Sequence, residues 1–280
     1  MSTKNPVSLP EGYVDFYKAI ETWQTELFTR LKKANQPEPQ DTIALLRKNE
    51  QPLTESVPIQ LDPDAYRAAV MAFIDFVAEA RQPLAGVLGQ IRAALETIDF
   101  SELTENAFHG DGDALGKIAQ EKGIPGELFL FLLDQAMRPF LQHFALAYQA
   151  SLLAFDGVFW DKGECPICGW KATFSRVRAK DGQRYLFCEH CFTEWEHRYL
   201  GCMHCGNSEP GTIRYLTVDG DDAHQVFVCD ECKGYLKTLD ERKAKGVADL
   251  FIANIETVYL DMIAEEKGFV ANPQIKRGMN

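Results

Sequence analysis

The amino-acid sequence predicts an α+β protein: a mainly helical N-terminal domain, then two small zinc-ribbon-like metal modules in tandem, then a C-terminal helix. Three observations lead there. Residues 1–160 contain no cysteine and repeat apolar side chains at helical spacing almost throughout. Residues 161–238 hold all eight cysteines, in four Cys-x-x-Cys pairs, among short runs rich in Val, Phe, Tyr and Thr. After residue 238 the helical spacing returns. The expected units are therefore 1–160 (helical domain), 161–200 and 201–238 (one four-cysteine module each) and 239–280 (C-terminal helix and tail).

The first helix is marked by Phe16, Ile20, Trp23, Leu27 and Leu31, which step by three or four and share one face; Pro37 and Pro39 should end it. Asp62-Pro63 announces a second, because an aspartate caps free N–H groups and proline is tolerated in a first turn. Tyr66, Val70, Phe73 and Val77 form its stripe, and Pro83 stops it. Segments 84–97 and 113–122 read as two more. From Pro125 to about Phe155 the chain is apolar on nearly every side, as befits a central helix. Pro139 inside it, lacking an N–H and crowding the carbonyl of Gln135, should kink it or split it in two. The aromatic and leucine stripes are read as ordinary core rather than a ligand pocket.

In the cysteine-rich third, 173–178 and 183–187 flank Asp181-Gly182, and 212–218 and 224–228 flank Asp219-Gly220. Both predict hairpins closed by type I′ turns. Phe251, Ile255, Val258 and Met262 mark the last helix, which must either pack back on the helical half or cover the metal half.

The cysteine blocks are an internal repeat: Cys165-Pro-Ile-Cys168-Gly169 lies on Cys202-Met-His-Cys205-Gly206, and Cys188-Glu-His-Cys191 on Cys229-Asp-Glu-Cys232. A Cys-x-x-Cys turn brings two thiolates to one ion, the following glycine lets backbone N–H groups face sulfur, and a hairpin returns the second pair to the other side. Disulfides are disfavoured, since the eight fall in one third of a chain that opens without a secretory leader. In-block pairing is favoured by the hairpins, with a site from Cys188, Cys191, Cys202 and Cys205 as the alternative. His190 and His204, inside two of the turns, are expected to face outward, and the lone His109 and His143 to be structural. The ion is either structural or, if iron, redox-active; a thiol–disulfide role is a further option.

Net charge is −12, with 13 basic and 22 acidic groups in residues 1–160 and 16 and 19 in residues 161–280. Each divalent ion held by four thiolates adds a net −2, taking the second half from −3 toward −7. Such a surface repels nucleic acid. The longest apolar run, Leu128 to Leu133, is far short of a membrane span of about 20 residues. No phosphate loop, nucleophile elbow or His-Glu-x-x-His helix is present, so an enzyme reading has no residues to rest on.

From Cys165 to about Phe269 the chain resembles the FdhE-type formate dehydrogenase accessory proteins. The resemblance rests on Cys165-Pro-Ile-Cys168-Gly169, on Cys188-Glu-His-Cys191-Phe-Thr-Glu-Trp195-Glu-His-Arg198-Tyr-Leu-Gly-Cys202-Met-His-Cys205, on Cys229-Asp-Glu-Cys232-Lys-Gly-Tyr235-Leu-Lys237 and on Ala264-Glu-Glu-Lys-Gly268-Phe269. It implies two rubredoxin-like modules, with Cys165, Cys168, Cys188, Cys191, Cys202, Cys205, Cys229 and Cys232 as ligands to two ions, iron or zinc, one per site. It also implies a non-catalytic role in cytoplasmic maturation of formate dehydrogenase, by contact with its catalytic subunit; the alternative is a redox-active iron protein in electron transfer or thiol redox control. Trp195, Arg198, Tyr235 and Lys237 carry over as motif residues, with Trp195 and Tyr235 expected to pack between the modules. No nucleic-acid partner and no membrane insertion are expected, and self-association into a homo-oligomer stays open.

Overall fold

A computed structural model describes residues 9–35, 38, 40–57, 61–244 and 248–273. Pro37, Pro39 and the opening residues used in the leader argument lie outside these. Helices α1 (Tyr13–Ala34), α2 (Thr42–Asn49), α3 (Pro63–Ala80), α4 (Ala85–Leu95), α5 (Phe100–His109), α6 (Gly112–Lys122) and α7 (Gly126–Ala154) form the first half. Aspartate caps set the starts of α3, α5 and α6: Asp62 accepts from the Asp64 N–H, Asp99 from that of Ser101 and Asp111 from that of Ala114. α2 and α5 were not expected. Each is short, and its Asp cap (Asp41, Asp99) stands before too few turns for a periodic stripe to register.

α7 is the axis of the helical half, packing on α1, α2, α3, α5 and α6. It buries Phe129, Leu133, Phe140 and Leu152 with about a dozen other residues, so the core reading of its apolar faces holds. Pro139 does not split it. The helix is continuous from Gly126 to Ala154 because α1 supplies the hydrogen bond that proline removes: Gln24 Nε2 donates to the Gln135 carbonyl at 3.0 Å.

The second half is one six-stranded sheet in the order β3-β2-β1-β6-β5-β4, from β1 (Phe174–Val177), β2 (Arg184–Phe187), β3 (Glu194–His197), β4 (Ile213–Val218), β5 (Asp221–Cys229) and β6 (Tyr235–Asp240). Every pairing is antiparallel except β1 with β6, where the modules join in parallel. Ser175 and Thr238, paired in that register, hydrogen-bond through their hydroxyls at 2.6 Å. The joint follows the repeat: by position around their knuckles β1 corresponds to β4 and β3 to β6, so the first strand of one module meets the last of the other.

Both Asp-Gly hairpins form, but not as type I′ turns. Only Gly182 (φ 73°) and Gly220 (φ 90°) are left-handed; Asp181 and Asp219 are not. In the first loop the Gly182 N–H bonds the Arg178 carbonyl and the Arg178 N–H that of Gln183, a four-residue connection in which Asp181 accepts from Arg178 instead of turning the chain.

The tail is two helices, α8 (Leu250–Glu256) and α9 (Val258–Glu266), broken at Thr257. The single stripe expected from Phe251 to Met262 fails for that reason, and Met262 is exposed. The two options for the tail are both realised: α8 packs on α1 and β1, and α9 on β5 and β6. No helix among the described residues is long and apolar enough to cross a membrane.

Candidate metal centres

Each Cys-x-x-Cys turn is built the same way. The fifth residue's N–H bonds the first cysteine's carbonyl at 2.8–3.0 Å, and that cysteine's N–H bonds the carbonyl of the sixth residue at 2.7–3.0 Å. The fifth residue is left-handed in all four: Gly169 (φ 77°), Phe192 (56°), Gly206 (73°) and Lys233 (59°). Glycine allows this freely, and the other two positions hold it at some strain. Their place in the repeat was the signal that could have found them.

These turns gather the cysteines into two sets, Cys165, Cys168, Cys188 and Cys191, and Cys202, Cys205, Cys229 and Cys232, with the sulfurs of each within 4.8 Å of one another. The cross-block alternative is not formed, and the cysteines are free thiols. Sγ–Sγ separations are 3.5 Å for Cys165–Cys191 and Cys168–Cys188, 3.6 Å for Cys202–Cys232 and 3.8 Å for Cys205–Cys229. Four sulfurs about 2.3 Å from a shared ion form a tetrahedron with edges of roughly 3.8 Å, so both sets fit one ion each.

The thiols respond to burial as crowded acids do. Burial pushes Cys165 well up and Cys202 up to about 11. It acts on Cys191 too, but there the hydrogen bonds of neighbouring thiols and the Thr193 hydroxyl win, and its thiol is held well below the ordinary value. The three other thiols around Cys191 thus stabilise a thiolate in the first set; a cation is what would hold all four.

The first set is wired into the helical half. The N–H groups of Leu53 and Thr54 bond the carbonyls of Pro166 and Ile167, both at 3.0 Å, and Gln149 on α7 donates to the Cys191 carbonyl and to Thr193 Oγ1, both at 3.2 Å. His190 does not face outward. It is buried, stacked on Trp170 with ring centroids 3.7 Å apart, and its Nε2 lies 2.7 Å from Asp134 on α7. Asp134 also pairs with Arg138 at 2.9 Å, and Arg138 lies 3.7 Å from Glu189. Burial alone would raise the Asp134 carboxyl, yet Arg138 and His190 hold it well below the carboxylate range. The two charges spaced by four on an otherwise apolar helix were a legible sign. His204 also turns inward, its Nε2 3.0 Å from the Tyr235 carbonyl. His143 meets the Asn35 carbonyl at 2.6 Å and His109 lies 3.9 Å from Glu55, neither beside the thiols.

The motif residues separate. Trp195 is buried in the main core, which takes in Met203 and Leu236 of the second module, and its indole N–H donates to the Lys162 carbonyl at 3.1 Å. Arg198 pairs with Asp161. Tyr235 does not pack between the modules: it joins Tyr259 and Leu260 of α9 and its hydroxyl donates to Asp261 at 2.9 Å. Buried Lys237 pairs with the same carboxylate at 2.6 Å and donates to the Asn254 carbonyl at 2.7 Å. Tyr235 and Lys237 therefore fasten α9 to β6.

Residues 164–198 match the family described as FdhE, central domain, and residues 200–274 match FdhE, C-terminal domain. The cysteine-rich part of the chain, residues 164–274, is thus of the FdhE type. A protein FdhE homolog of Aquifex aeolicus is 32% identical over 153 residues, covering 54% of this chain and 52% of the relative. One of Rhizobium meliloti is 27% identical over 267 residues, covering 91% and 79%. The chain thus spans about half the length of the Aquifex relative. The crystal structure of the FdhE protein from Pseudomonas aeruginosa shares its fold, with TM-score 0.57 at 20% identity, over 96% of this chain and 91% of that one.

Proposed function

We propose that this FdhE-type chain is a non-catalytic accessory factor that assists cytoplasmic maturation of formate dehydrogenase by docking its catalytic subunit. Cys165, Cys168, Cys188 and Cys191 would hold one ion and Cys202, Cys205, Cys229 and Cys232 a second, iron or zinc. The observation that carries this reading is the gathering of each set of four sulfurs within 4.8 Å of one another, with two separations in each set at 3.5–3.8 Å. Four thiolates leave no coordination position for a substrate, which suits ions that hold a docking platform together. We take the units to be 1–160, 161–200, 201–238 and 239–280, the two modules folding as one through the β1–β6 joint. We take the docking surface to lie where α7 runs into the first module, where Leu153 and Val158 are each exposed.

The test is capture of the tagged full-length chain from cells making formate dehydrogenase, together with deletion of its gene. Recovery of the catalytic subunit and loss of formate dehydrogenase activity on deletion are expected; an active enzyme and no captured subunit refute the role. A second reading, a redox-active iron protein, is favoured by the partial exposure of Cys168, Cys205 and Cys232, which would bring three sulfurs toward an electron donor. Anaerobically purified protein then shows ferric-thiolate colour that bleaches on reduction, and colourless zinc protein with full accessory activity ends that reading.

A further inference from the structure

Arg184 on β2 is fully buried, yet among the described residues no carboxylate lies within 4.0 Å of its guanidinium. Its Nη1 donates to the carbonyls of Tyr199 at 3.2 Å and Gly201 at 3.3 Å, the residues leading into the third Cys-x-x-Cys turn, and its Nε has no partner. The guanidinium carbon sits 4.9 Å from the centroid of the Phe227 ring. Arg184 lines the same small cavity as Cys202 and Cys229. The nearby His197, paired with Arg184 across β2 and β3, does not cancel its charge: burial and, in part, Arg184 itself hold it toward its neutral form.

A guanidinium stripped of water costs several kcal/mol unless opposite charge is supplied nearby. On the first cage the buried arginine, Arg138, is already answered by Asp134 and Glu189. Beside the second cage, where no carboxylate among the described residues pairs with Arg184, the sulfurs of Cys202 and Cys229 share its cavity, and a divalent ion held by four thiolates carries a net −2. We propose that Arg184 is the built-in counter-charge of the second cage, so that this cage's hold on its ion depends on one arginine while the first cage's does not. Arg184 acts as a positioning charge rather than a ligand, and the inference rests on the eight cysteines being ligands.

The experiment uses the full chain loaded with zinc and titrated with a chromophoric chelator, each variant first checked for native circular dichroism. The wild-type chain is expected to yield two ions, and Cys205→Ser, which keeps only the first cage, identifies which is released when. Arg184→Met keeps the stem on Phe227 but removes the charge, and Arg184→Gln keeps amide donors for the two carbonyls. Both are expected to release the second ion at about tenfold lower chelator or less, with the first unchanged. Arg184→Lys keeps the charge and loses the planar fork, and is expected to stay near wild type. If Arg184→Met and Arg184→Gln hold both ions like wild type, or if Arg184→Lys loses the second ion as they do, the counter-charge role is wrong although the cages stand. A wild-type chain that takes up no ion overturns the ligand reading itself, and this inference with it.

Discussion

The side-chain amide of Gln24 on α1 donates at 3.0 Å to the main-chain carbonyl of Gln135 on α7, the carbonyl that Pro139 cannot serve. A buried carbonyl left without a donor costs about 1–3 kcal/mol. Gln24→Leu is therefore expected to destabilise the protein by roughly that amount, read as a lower urea midpoint. The penalty should shrink when Pro139→Ala restores an N–H within the helix. Equal penalties in both backgrounds would mean that Gln24 does not compensate for the proline.

Removing one sulfur should empty one cage only. Cys205→Ser is expected to lower bound metal from two ions per chain to one and to loosen β4 and β5, because local folding and metal binding are linked. Metal analysis of the purified variant checks this, and unchanged stoichiometry would contradict the ligand set.

How much of this was legible varies with the cause. The in-block cysteine sets were favoured by the Asp-Gly hairpins over a cross-block set left open, the start of α3 was legible in Asp62-Pro63, and the central place of α7 in its apolar residues on nearly every face. The inward turn of His190 did not, because its partner Asp134 lies 56 positions away, and no local pattern reports a contact at that distance. The breaking of the tail at Thr257 was hidden because Phe251 to Met262 keeps helical spacing through the break. Arg184 gave no sign at all: β2 is buried at every position, so the strand shows no alternation in which a charge would look misplaced.

The left-handed residues in the knuckles predict opposite outcomes for one substitution. A non-glycine residue there costs on the order of 1 kcal/mol. Lys233→Gly, whose side chain is exposed, is expected to raise stability by about 0.5–1 kcal/mol. Phe192→Gly should lower it, because the Phe192 ring packs against Phe187 and Phe251 with centroids 5.6 and 5.7 Å away. Thermal unfolding of both variants with metal bound decides it, and a loss in both would show that glycine's freedom does not limit these turns.

Acid should act through His197. Burial, reinforced by the Arg184 charge, lowers its pKa from 6.5 to about 4, against the weaker pull of the Arg198 carbonyl at 3.1 Å and of Asp161 3.5 Å away. The ring is neutral when folded and takes a proton when unfolded, so its contribution is whole above pH 6.5 and is lost as pH falls toward 4, by up to about 3 kcal/mol. His197→Asn should show a shallower fall than wild type over that window. Parallel curves would assign the acid sensitivity to the thiolates alone.

The bonds from Leu53, Thr54 and Gln149 to the first cage reach past metal chemistry. A sulfur cluster that came apart would release the carbonyls of Pro166, Ile167 and Cys191 from the helices that grip them. The end of α7 and the turn before α3 would then lose their seat. Under the proposed function, loading of the first cage and the seating of the helical half would therefore rise and fall together.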